Sequence, residues 1–511
     1  VIGVILAGMS LGNYLGGRLA DRRASPGLLG VVFAVASLAT LSILWLNNDL
    51  HDIKLPTGVP FFLWVVVYIA AVFMLPSVIL GCVSPIVVKL SLTDLQRTGT
   101  TVGKIYAWST VGSILGTFLT GFVLIAYIGT KTTILGVAGV LMLIGLWFLT
   151  DRPWRQALWR GALAVVLFGG GLAGLWRLNF LNSECMLETN YFCINVHEVD
   201  KDGRKVRELL LDRLVHSYTD MQDPTHLVYG YEQTYAAIIK PLTERKPDLE
   251  AHFIGGGGYT FPRYMEATLP ESHIVVSEID PGVTEAATNW LNLAPDTRIE
   301  SHNLDARIYF AWHAQPRSYD LVFGDAFNDF SVPSHLTTLE FNLLVANALR
   351  EDGLYLVNII DGGPFGNFFR AYVRTLQRVF RHVVVIPSDP SWRAATRTTF
   401  VIAASQAPLD LSQLPVSYAP LPEAELEEYL NAGRQVILTD DYVPSDNLMA
   451  PVVSASFSPG GLDADVQALI RQRVFAVGGG VLALAAAVTV LLLRRRRAHG
   501  ADQAPTGGAA A

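Results

Sequence analysis

The chain has 511 residues, of which 51% are hydrophobic and only 16% are charged. Soluble proteins carry about 25% charged residues, so this composition excludes a disordered or fibrous chain and indicates a membrane protein. The net charge of −7 is unevenly spread, because residues 1–178 carry +7, residues 473–511 carry +4, and the acidic stretch between them carries −18.

Apolar runs that are long enough to cross a bilayer as helices lie on both sides of the acidic stretch. We expect about six helices in a membrane domain over residues 1–178, and one more helix before a basic tail within residues 473–511. Because the chain opens inside an apolar run without an initiator Met, we also expect residues to be missing upstream. The runs lie at 1–17, 27–46, 61–83, 105–128, 132–150, 161–176 and 474–493.

Basic residues near the predicted helix ends indicate the orientation of the chain. They cluster at 18–23, 89–104, 152–160 and 494–497. Lys and Arg favour the cytoplasmic side, so the pattern predicts a multi-pass protein of the inner membrane with its acidic globule on the exoplasmic face. Cys185 and Cys193, at the start of the globule, are expected to form a disulfide on that face and to stay free thiols in the cytoplasm.

Small residues mark one predicted membrane helix. Gly112, Gly116 and Gly121 lie along one side of the run at 105–128, a pattern that lets helix backbones approach closely. The apolar runs contain no Asp, Glu, Lys, Arg or His. Because such groups mark ion routes in pumps, we expect an anchor rather than an ion-coupled transporter.

The acidic stretch opens with a small β unit, assigned to residues 179–250. Tyr191–Val199 and Arg207–Asp212 alternate apolar and polar residues on either side of turn residues. From residue 251 to 410, short apolar strands alternate with amphipathic helices, which predicts a doubly wound, mainly parallel α/β sheet. A C-terminal extension is assigned to residues 411–472. Strands are predicted at 252–254, 273–279, 299–303, 319–323, 353–360, 382–386 and 398–404, and helices at 282–292, 338–350 and 366–380.

Glycines and acidic residues follow the predicted strand ends. The first strand runs into Gly255–Gly258, and glycines there allow a tight turn whose backbone N–H groups approach a ligand. Glu278 ends the second strand, at the distance where an acidic residue binds a ribose hydroxyl. Asp305 closes the third strand and Asp325 follows the fourth. Ligands bind beyond the carboxyl ends of such strands, so these residues form the candidate site.

These motifs resemble those of the spermidine synthase family of aminopropyltransferases, which share the class I methyltransferase fold. With its apolar helices, the chain is similar to the bacterial membrane-bound, fused branch of that family. The resemblance implies a multi-pass helical membrane domain joined to a Rossmann-like, class I methyltransferase-like α/β domain with a small N-terminal β unit. The matching residues are Ile254-Gly255-Gly256-Gly257, Arg263, Glu278-Ile279-Asp280, Asp305, Asp325 and Thr337-Thr338-Leu339-Glu340-Phe341.

The resemblance also implies roles for individual residues. The co-substrate is decarboxylated S-adenosylmethionine, or S-adenosylmethionine itself, and no metal is required. Glu278 holds the ribose, Asp305 holds the adenine, and Asp325 acts as general base on the attacking amine. The glycines that lie against the nucleoside are Gly255, Gly256 and Gly257, and the candidate residues on the substrate side are Tyr231, Glu232, Asp329 and His335.

Two positions depart from the family pattern. Gly258 stands where the family has an acid that anchors the aminopropyl end of the donor, and Asn328 stands where a second acid is expected. Asp329 replaces that second acid only through a shift of one residue.

The function expected from the sequence is membrane-anchored aminopropyl transfer to a polyamine or another amine. Two alternatives stay open: a diverged S-adenosylmethionine-dependent methyltransferase, and a non-catalytic polyamine-binding or transport protein. We expect contact with membrane lipid and none with nucleic acid, and we leave a homodimer open.

Overall fold

The computed structural model describes residues 1–51, 61–92, 94–149, 154–183, 185–326, 332–411 and 414–456. The predicted helix at 474–493, the basic run at 494–497 and the positions Asn328 and Asp329 lie outside the described residues. The described residues form two compact units. One contains Val1–Ser91 and Ala138–Phe180, and the other contains Leu92–Val137 and Leu181–Ser456.

Most of the described residues between 1 and 177 are helical. Five stretches are long and apolar enough to cross a membrane, and together with the first helix they coincide with the six runs predicted before residue 178. The helices are α1 (Ile2–Arg23), α2 (Pro26–His51), α3 (Phe61–Gly81), α4 (Val83–Ser91), α5 (Thr98–Leu119), α6 (Ile125–Ile128), α7 (Thr130–Leu149) and α8 (Trp154–Arg177). The candidate spans are Pro26–Asn47, Phe62–Ser91, Thr98–Ile128, Thr130–Leu149 and Leu158–Arg177.

Close helix packing occurs at glycines of α1. A Cβ at Gly12 would collide with the carbonyl oxygen of Val78, and a Cβ at Gly16 would lie 2.6 Å from the Cα of Cys82. For α5 the close approach stays a prediction, because α5 and the helices α1–α4 belong to different units and the predicted span at 474–493 lies outside the described residues. A small-residue stripe permits close packing but does not supply a partner helix.

The small β unit is a four-stranded antiparallel sheet in the order β1-β2-β3-β4. Asp202 and Gly203 join β2 to β3 with φ angles of 53° and 78°, as a two-residue hairpin of the primed type requires. The predicted pairing of Cys185 with Cys193 is confirmed, since a disulfide joins these two residues, which lie before and after the first strand in the chain. The strands are β1 (Leu187–Glu188), β2 (Cys193–Lys201), β3 (Arg204–Leu211) and β4 (Leu214–Asp220).

A seven-stranded sheet forms the centre of the globular unit, in the order β10-β11-β9-β8-β5-β6-β7. All seven predicted strands are present, and the run from β9 to β7 across the sheet is parallel, whereas β11 is antiparallel to both neighbours. The prediction of a mainly parallel sheet is thus confirmed. The strands are β5 (Glu250–Ile254), β6 (His273–Ser277), β7 (Glu300–His302), β8 (Tyr319–Gly324), β9 (Leu349–Asp361), β10 (His382–Pro387) and β11 (Thr398–Ser405).

Both faces of this sheet are covered. On β8, Leu321 and Phe323 pack into one apolar core and Val322 packs into the other, as alternation along a doubly buried strand requires. The three predicted helices correspond to α11, α13 and α14, whereas the short helices α10 and α12 were not predicted. The helices are α9 (Gly230–Thr243), α10 (Thr260–Thr268), α11 (Pro281–Trp290), α12 (Ala306–Trp312), α13 (Leu339–Ala348), α14 (Asn367–Leu376), α15 (Glu423–Asn431) and α16 (Ser445–Ser456).

Candidate active site

A cavity of about 310 Å³ lies at the carboxyl ends of the central strands. Its wall includes the glycine turn after β5, the residue after β8, and residues near the end of β9. Chain order reverses at β5, which is flanked by β6 on one side and β8 on the other. Open α/β sheets bind ligands at this switch point, so the cavity lies where the fold favours a site.

The glycine turn is shaped by two positive φ angles. Gly255 has a φ of 95° and Gly257 a φ of 51°, a region that L side chains rarely adopt. A Cβ at Gly255 would also lie only 2.6 Å from the carbonyl oxygen of Asp325. Glycine at position 255 therefore lets the end of β5 approach the end of β8 closely.

Glu278 holds the glycine turn through hydrogen bonds. Its Oε2 accepts from the backbone N–H of Gly256 at 2.8 Å, and its Oε1 accepts from the N–H of Asp280 at 2.9 Å. Burial raises the pKa of Glu278, while these N–H groups act in the opposite direction. The side chain is buried and is not among the residues that line the cavity, so the structure places it behind the turn.

Asp305 and His335, which sequence reasoning assigned to different parts of the site, contact each other. His335 Nε2 lies 2.7 Å from Asp305 Oδ2, while Asp305 Oδ1 accepts from the N–H of Arg307 and caps α12. The hydrogen bond to His335 lowers the pKa of Asp305. Neither residue is among those that line the cavity beside Asp325.

Asp325 lies in the cavity wall with both carboxylate oxygens hydrogen-bonded. Tyr231 donates its hydroxyl to Oδ2 at 2.7 Å, and Asn358 donates its side-chain amide to Oδ1 at 2.8 Å. Burial raises the pKa of Asp325, and these two hydrogen bonds oppose the rise. Asn358 was missed by sequence reasoning, although it is a polar residue within the apolar run of β9, and that exception is the signal that could have identified it.

Glu232 lies beside Tyr231 in the first turn of α9, so the helix start expected there is present, and the substrate wall stays a prediction. Its side chain is 2% exposed, and its Oε2 has no hydrogen-bond partner among the residues that the structure describes. Burial, followed by the charge of Asp325, raises the pKa of Glu232 well above its ordinary value.

Several buried polar atoms of the cavity wall lack hydrogen-bond partners among the described residues. A buried polar atom without a partner costs about 1–3 kcal/mol, so such atoms are rare in folded proteins. Their concentration in one cavity indicates a place for a ligand that forms hydrogen bonds. The atoms are Ser217 Oγ, Glu232 Oε2, Tyr235 Oη and Asn358 Oδ1.

The position of the missing acid, Gly258, has no room for a side chain. A Cβ there would collide with Ser217 Oγ and would lie 3.0 Å from Ser217 Cβ and 3.1 Å from Thr219 Oγ1. Both hydroxyls come from β4, more than thirty residues upstream, and no sequence signal singles them out. Ser217 and Thr219 therefore occupy the space that a side chain at position 258 would need.

The described residues contain no group of three or more His, Cys, Asp or Glu side chains that could hold a metal ion.

No family model matches the chain. Curated relatives do: a polyamine aminopropyltransferase of Vibrio vulnificus is 32% identical over 143 residues, which are 28% of this chain and 46% of that protein. The chain has homologues among the spermidine synthases.

Spermidine synthases are not its sole relatives. An eEF1A lysine and N-terminal methyltransferase of Xenopus laevis is 30% identical over 209 residues, 38% of this chain and 30% of that protein. The chain thus spans less than half the length of either relative. A probable spermidine synthase of Corynebacterium glutamicum superposes with a TM-score of 0.40 at 20% identity, over 54% of this chain and 95% of that one.

Proposed function

We propose that this protein transfers an aminopropyl group from decarboxylated S-adenosylmethionine to a polyamine or another amine, with Asp325 as the general base. The amine nitrogen attacks the aminopropyl carbon next to the sulfonium. A carbon–nitrogen bond forms while the carbon–sulfur bond breaks, and its electron pair stays on sulfur. Methylthioadenosine leaves, and the proton released by the amine passes to Asp325.

The observation that carries this proposal is the set of acceptor atoms around Asp325. Glu232 Oε2 and Asn358 Oδ1 are buried beside a carboxylate, without hydrogen-bond partners in the part of the chain that the structure describes. An ammonium or amine N–H group satisfies such atoms, whereas an apolar ligand leaves them unpaired.

The environment of Asp325 suits proton transfer. An ammonium must lose a proton before its nitrogen can attack, and a positioned carboxylate with a raised pKa accepts that proton more readily. Burial raises the pKa of Asp325, while Tyr231 and Asn358 fix the orientation of its carboxylate. These contacts support the assignment of Asp325 as the base.

For the donor, we propose that Gly255–Gly257 lie against the nucleoside, Glu278 binds the ribose and Asp305 binds the adenine. Two features support the assignment. These residues follow the adjacent strands β5, β6 and β7, and the glycine turn and Glu278 are joined by hydrogen bonds. A carboxylate has about four lone-pair sites, so Glu278 can accept a ribose hydroxyl in addition to its present donors.

The test uses the purified full chain with decarboxylated S-adenosylmethionine and either 1,4-diaminobutane or spermidine. We expect methylthioadenosine and the aminopropylated amine in equal amounts, measured by mass spectrometry. Calorimetry with S-adenosylmethionine, its decarboxylated form and methylthioadenosine measures donor binding separately. Absence of binding by all three adenosyl compounds would overturn the enzyme proposal, and amine binding without any product would indicate a binding protein.

A second candidate is methyl transfer from S-adenosylmethionine to an amine. It is favoured by the relative named as a lysine and N-terminal methyltransferase, and by Gly258, which removes the acid expected to anchor an aminopropyl group. The same base would act, but the methyl carbon would be attacked and S-adenosylhomocysteine would leave. The adenosyl product therefore distinguishes the candidates, since aminopropyl transfer yields methylthioadenosine instead.

We also propose that the apolar helices anchor the chain in the inner membrane with the acidic globule on the exoplasmic face. Support comes from the basic loops and from the Cys185–Cys193 disulfide, because disulfides persist in oxidising compartments. The test labels a Cys82→Ser variant in intact cells with an impermeant maleimide, before and after reduction. Labelling after reduction is the expected result, whereas labelling that requires cell lysis contradicts the orientation.

A further inference from the structure

A short segment between β8 and α13 brings His335 to the edge of the central sheet. The segment contains a 3₁₀ helix at Ser334–Leu336. Leu336 lines a small cavity together with Ile254, the last residue of β5, and His335 itself contacts Asp305, which follows β7. His335 therefore lies at the carboxyl edge of the sheet, where the nucleoside site is proposed.

The backbone and the ring of His335 are both held by hydrogen bonds. Arg307, in the first turn of α12, donates from Nη1 to the carbonyl oxygen of His335 at 2.9 Å. The same guanidinium pairs with Asp440, which anchors it. At the ring, Nε2 lies 2.7 Å from Asp305 Oδ2. Contacts at both ends of the residue thus fix the orientation of the imidazole.

The carboxylate of Asp305 determines which ring nitrogen of His335 carries the proton. The hydrogen bond to His335 lowers the pKa of Asp305, which favours its ionised form. An ionised carboxylate can only accept hydrogen bonds, so Nε2 of His335 is the donor. In the neutral imidazole the other nitrogen, Nδ1, is then an acceptor.

Exposure indicates which member of this pair a ligand reaches more easily. The side chain of His335 is 44% exposed, whereas that of Asp305 is 19% exposed. Asp305 already accepts from the N–H groups of Arg307 and Ile308 and from the imidazole. Since a carboxylate has about four lone-pair sites, little of its accepting capacity remains. The imidazole is thus the more accessible acceptor.

We propose that His335 Nδ1 accepts a hydrogen bond from the 6-amino group of the donor's adenine, and that Asp305 is a positioning residue that holds the imidazole in the required tautomer. The inference rests on the proposed function, which places the adenine at Asp305, and it names the atom that selects the base. The 6-amino group of adenine donates, whereas the oxygen at that position of hypoxanthine accepts. The pair should therefore select adenine over hypoxanthine.

The test compares two nucleosides that differ at this position, methylthioadenosine and methylthioinosine. Their binding to the purified full chain is measured by calorimetry, which requires no group transfer. We expect methylthioadenosine to bind about tenfold more tightly, the effect of about 1.4 kcal/mol. Methylthioinosine places its oxygen against the lone pair of Nδ1, so this contact is lost.

The variant His335→Phe keeps an aromatic ring but removes both nitrogens. We expect the ratio of the two affinities to fall to about twofold or less. His313→Phe is the matched control, because His313 is an exposed histidine at the end of α12, and it should keep the tenfold ratio.

Asp305→Asn should reverse the preference. Asn also caps helices, so its side-chain oxygen can still accept from the N–H groups of Arg307 and Ile308, which turns its amide NH₂ toward His335. Nε2 must then accept, and the proton moves to Nδ1, the change of tautomer known for such a substitution beside a histidine. Methylthioinosine should now bind more tightly, and adding His335→Phe should abolish the reversal.

The outcomes separate this inference from the proposed function. A tenfold preference that persists in His335→Phe, or an unchanged preference in Asp305→Asn, would overturn the inference even if aminopropyl transfer occurs. If the affinities change as expected but no methylthioadenosine forms with either amine, the proposed function fails and the inference stands. If neither nucleoside binds the unmodified protein, both are wrong.

Discussion

On one side of the glycine turn, Glu278 and Asp305 are hydrogen-bonded by other residues of the protein. On the other side, Glu232 and Asn358 each have a buried oxygen without a partner among the described residues. The two sides lie along the same sheet edge and bury similar groups. At these four residues they differ in whether the described residues supply the hydrogen-bond donors. We call them the nucleoside side and the amine side, after the ligands proposed for them.

This difference indicates how binding energy is distributed. On the nucleoside side the carboxylates already position the backbone, so a donor molecule meets a preorganised surface. On the amine side, buried oxygens without partners among the described residues lower the free energy of unfolding. The proposed amine ligand would donate hydrogen bonds to them and so gain binding free energy. Four changes test this contrast, from the largest expected effect to the smallest.

Asp325→Asn should separate the two sides most strongly. Loss of a general base lowers rates by about 10²–10⁴, and the rate of amine transfer should fall within that range. Binding of the adenosyl donor, measured by calorimetry, should change less than about twofold, because Asp325 belongs to the amine side. The exposed Asp389→Asn is the control and should leave both unchanged. A parallel loss of donor binding would contradict the separation.

Asp361 shows whether hydrogen bonds from backbone N–H groups are enough to keep the pKa of a buried carboxyl low. It accepts from the N–H groups of Gly362 and Phe369, yet burial raises its pKa from 3.8 to about 7. The folded state keeps the proton that the unfolded state releases, so this group contributes stability below pH 3.8 that is lost as the pH rises to about 7. At about 1.4 kcal/mol per pKa unit, the loss is at most about 4 kcal/mol.

Urea unfolding of the full chain at several pH values measures this contribution. Asp361→Asn should flatten the dependence of the unfolding free energy on pH between about 4 and 7, whatever its effect at a single pH. An unchanged slope would show that Asp361 ionises normally in the folded protein.

The disulfide tests the nucleoside side. It closes the segment that contains Thr189, whose hydroxyl donates to Asp280 Oδ2 at 2.6 Å, next to the N–H that Glu278 accepts. Replacing Cys185 and Cys193 together by Ser should cost about 2–3 kcal/mol of unfolding free energy, the entropy of a loop of this size. Donor affinity should fall by more than amine affinity.

Cys82→Ser is the control for that variant, because Cys82 is a free cysteine and belongs to the unit that contains Val1–Ser91. It should change neither affinity. Equal losses of donor and amine affinity in the disulfide variant would show that the disulfide supports the whole site rather than its nucleoside side.

Gly258→Ala should have the smallest effect. The added Cβ collides with Ser217, and overpacking of this kind costs about 1–3 kcal/mol. The cost should shrink in a Ser217→Gly background, which a double-mutant cycle on thermal unfolding measures. Gly230→Ala is the control, since among the described residues no atom beyond its chain neighbours and its own helix backbone lies within 4 Å of a Cβ there. An equal loss of stability in both backgrounds would show that the added Cβ does not clash with Ser217.

Sequence reasoning identified the seven strands and most strand-end residues because both depend on local pattern. Apolar runs bounded by glycines and acids mark strands, and parallel strands bring their carboxyl ends to one edge. It missed Ser217, Asn358 and Arg397, which come from β4, β9 and the start of β11. No local pattern shows that residues this far apart in sequence share a cavity.

The sequence also misjudged the neighbour of one candidate residue. His335 was assigned to the amine side, but it contacts Asp305. The roles assigned to Asn328 and Asp329 remain predictions, since both lie outside the described residues.

By itself, the sequence determined the apolar helices, the alternation of strands and helices, and the order of glycines and acids along the sheet edge. These follow from periodicity, composition and chain direction. Only the tertiary structure decided that Glu278 is hydrogen-bonded by the glycine turn and that Gly258 has no room for a side chain. It also decided that buried oxygens near Asp325 lack partners within the described ranges. Burial and hydrogen-bond satisfaction depend on residues brought together from distant parts of the chain, and no local pattern records them.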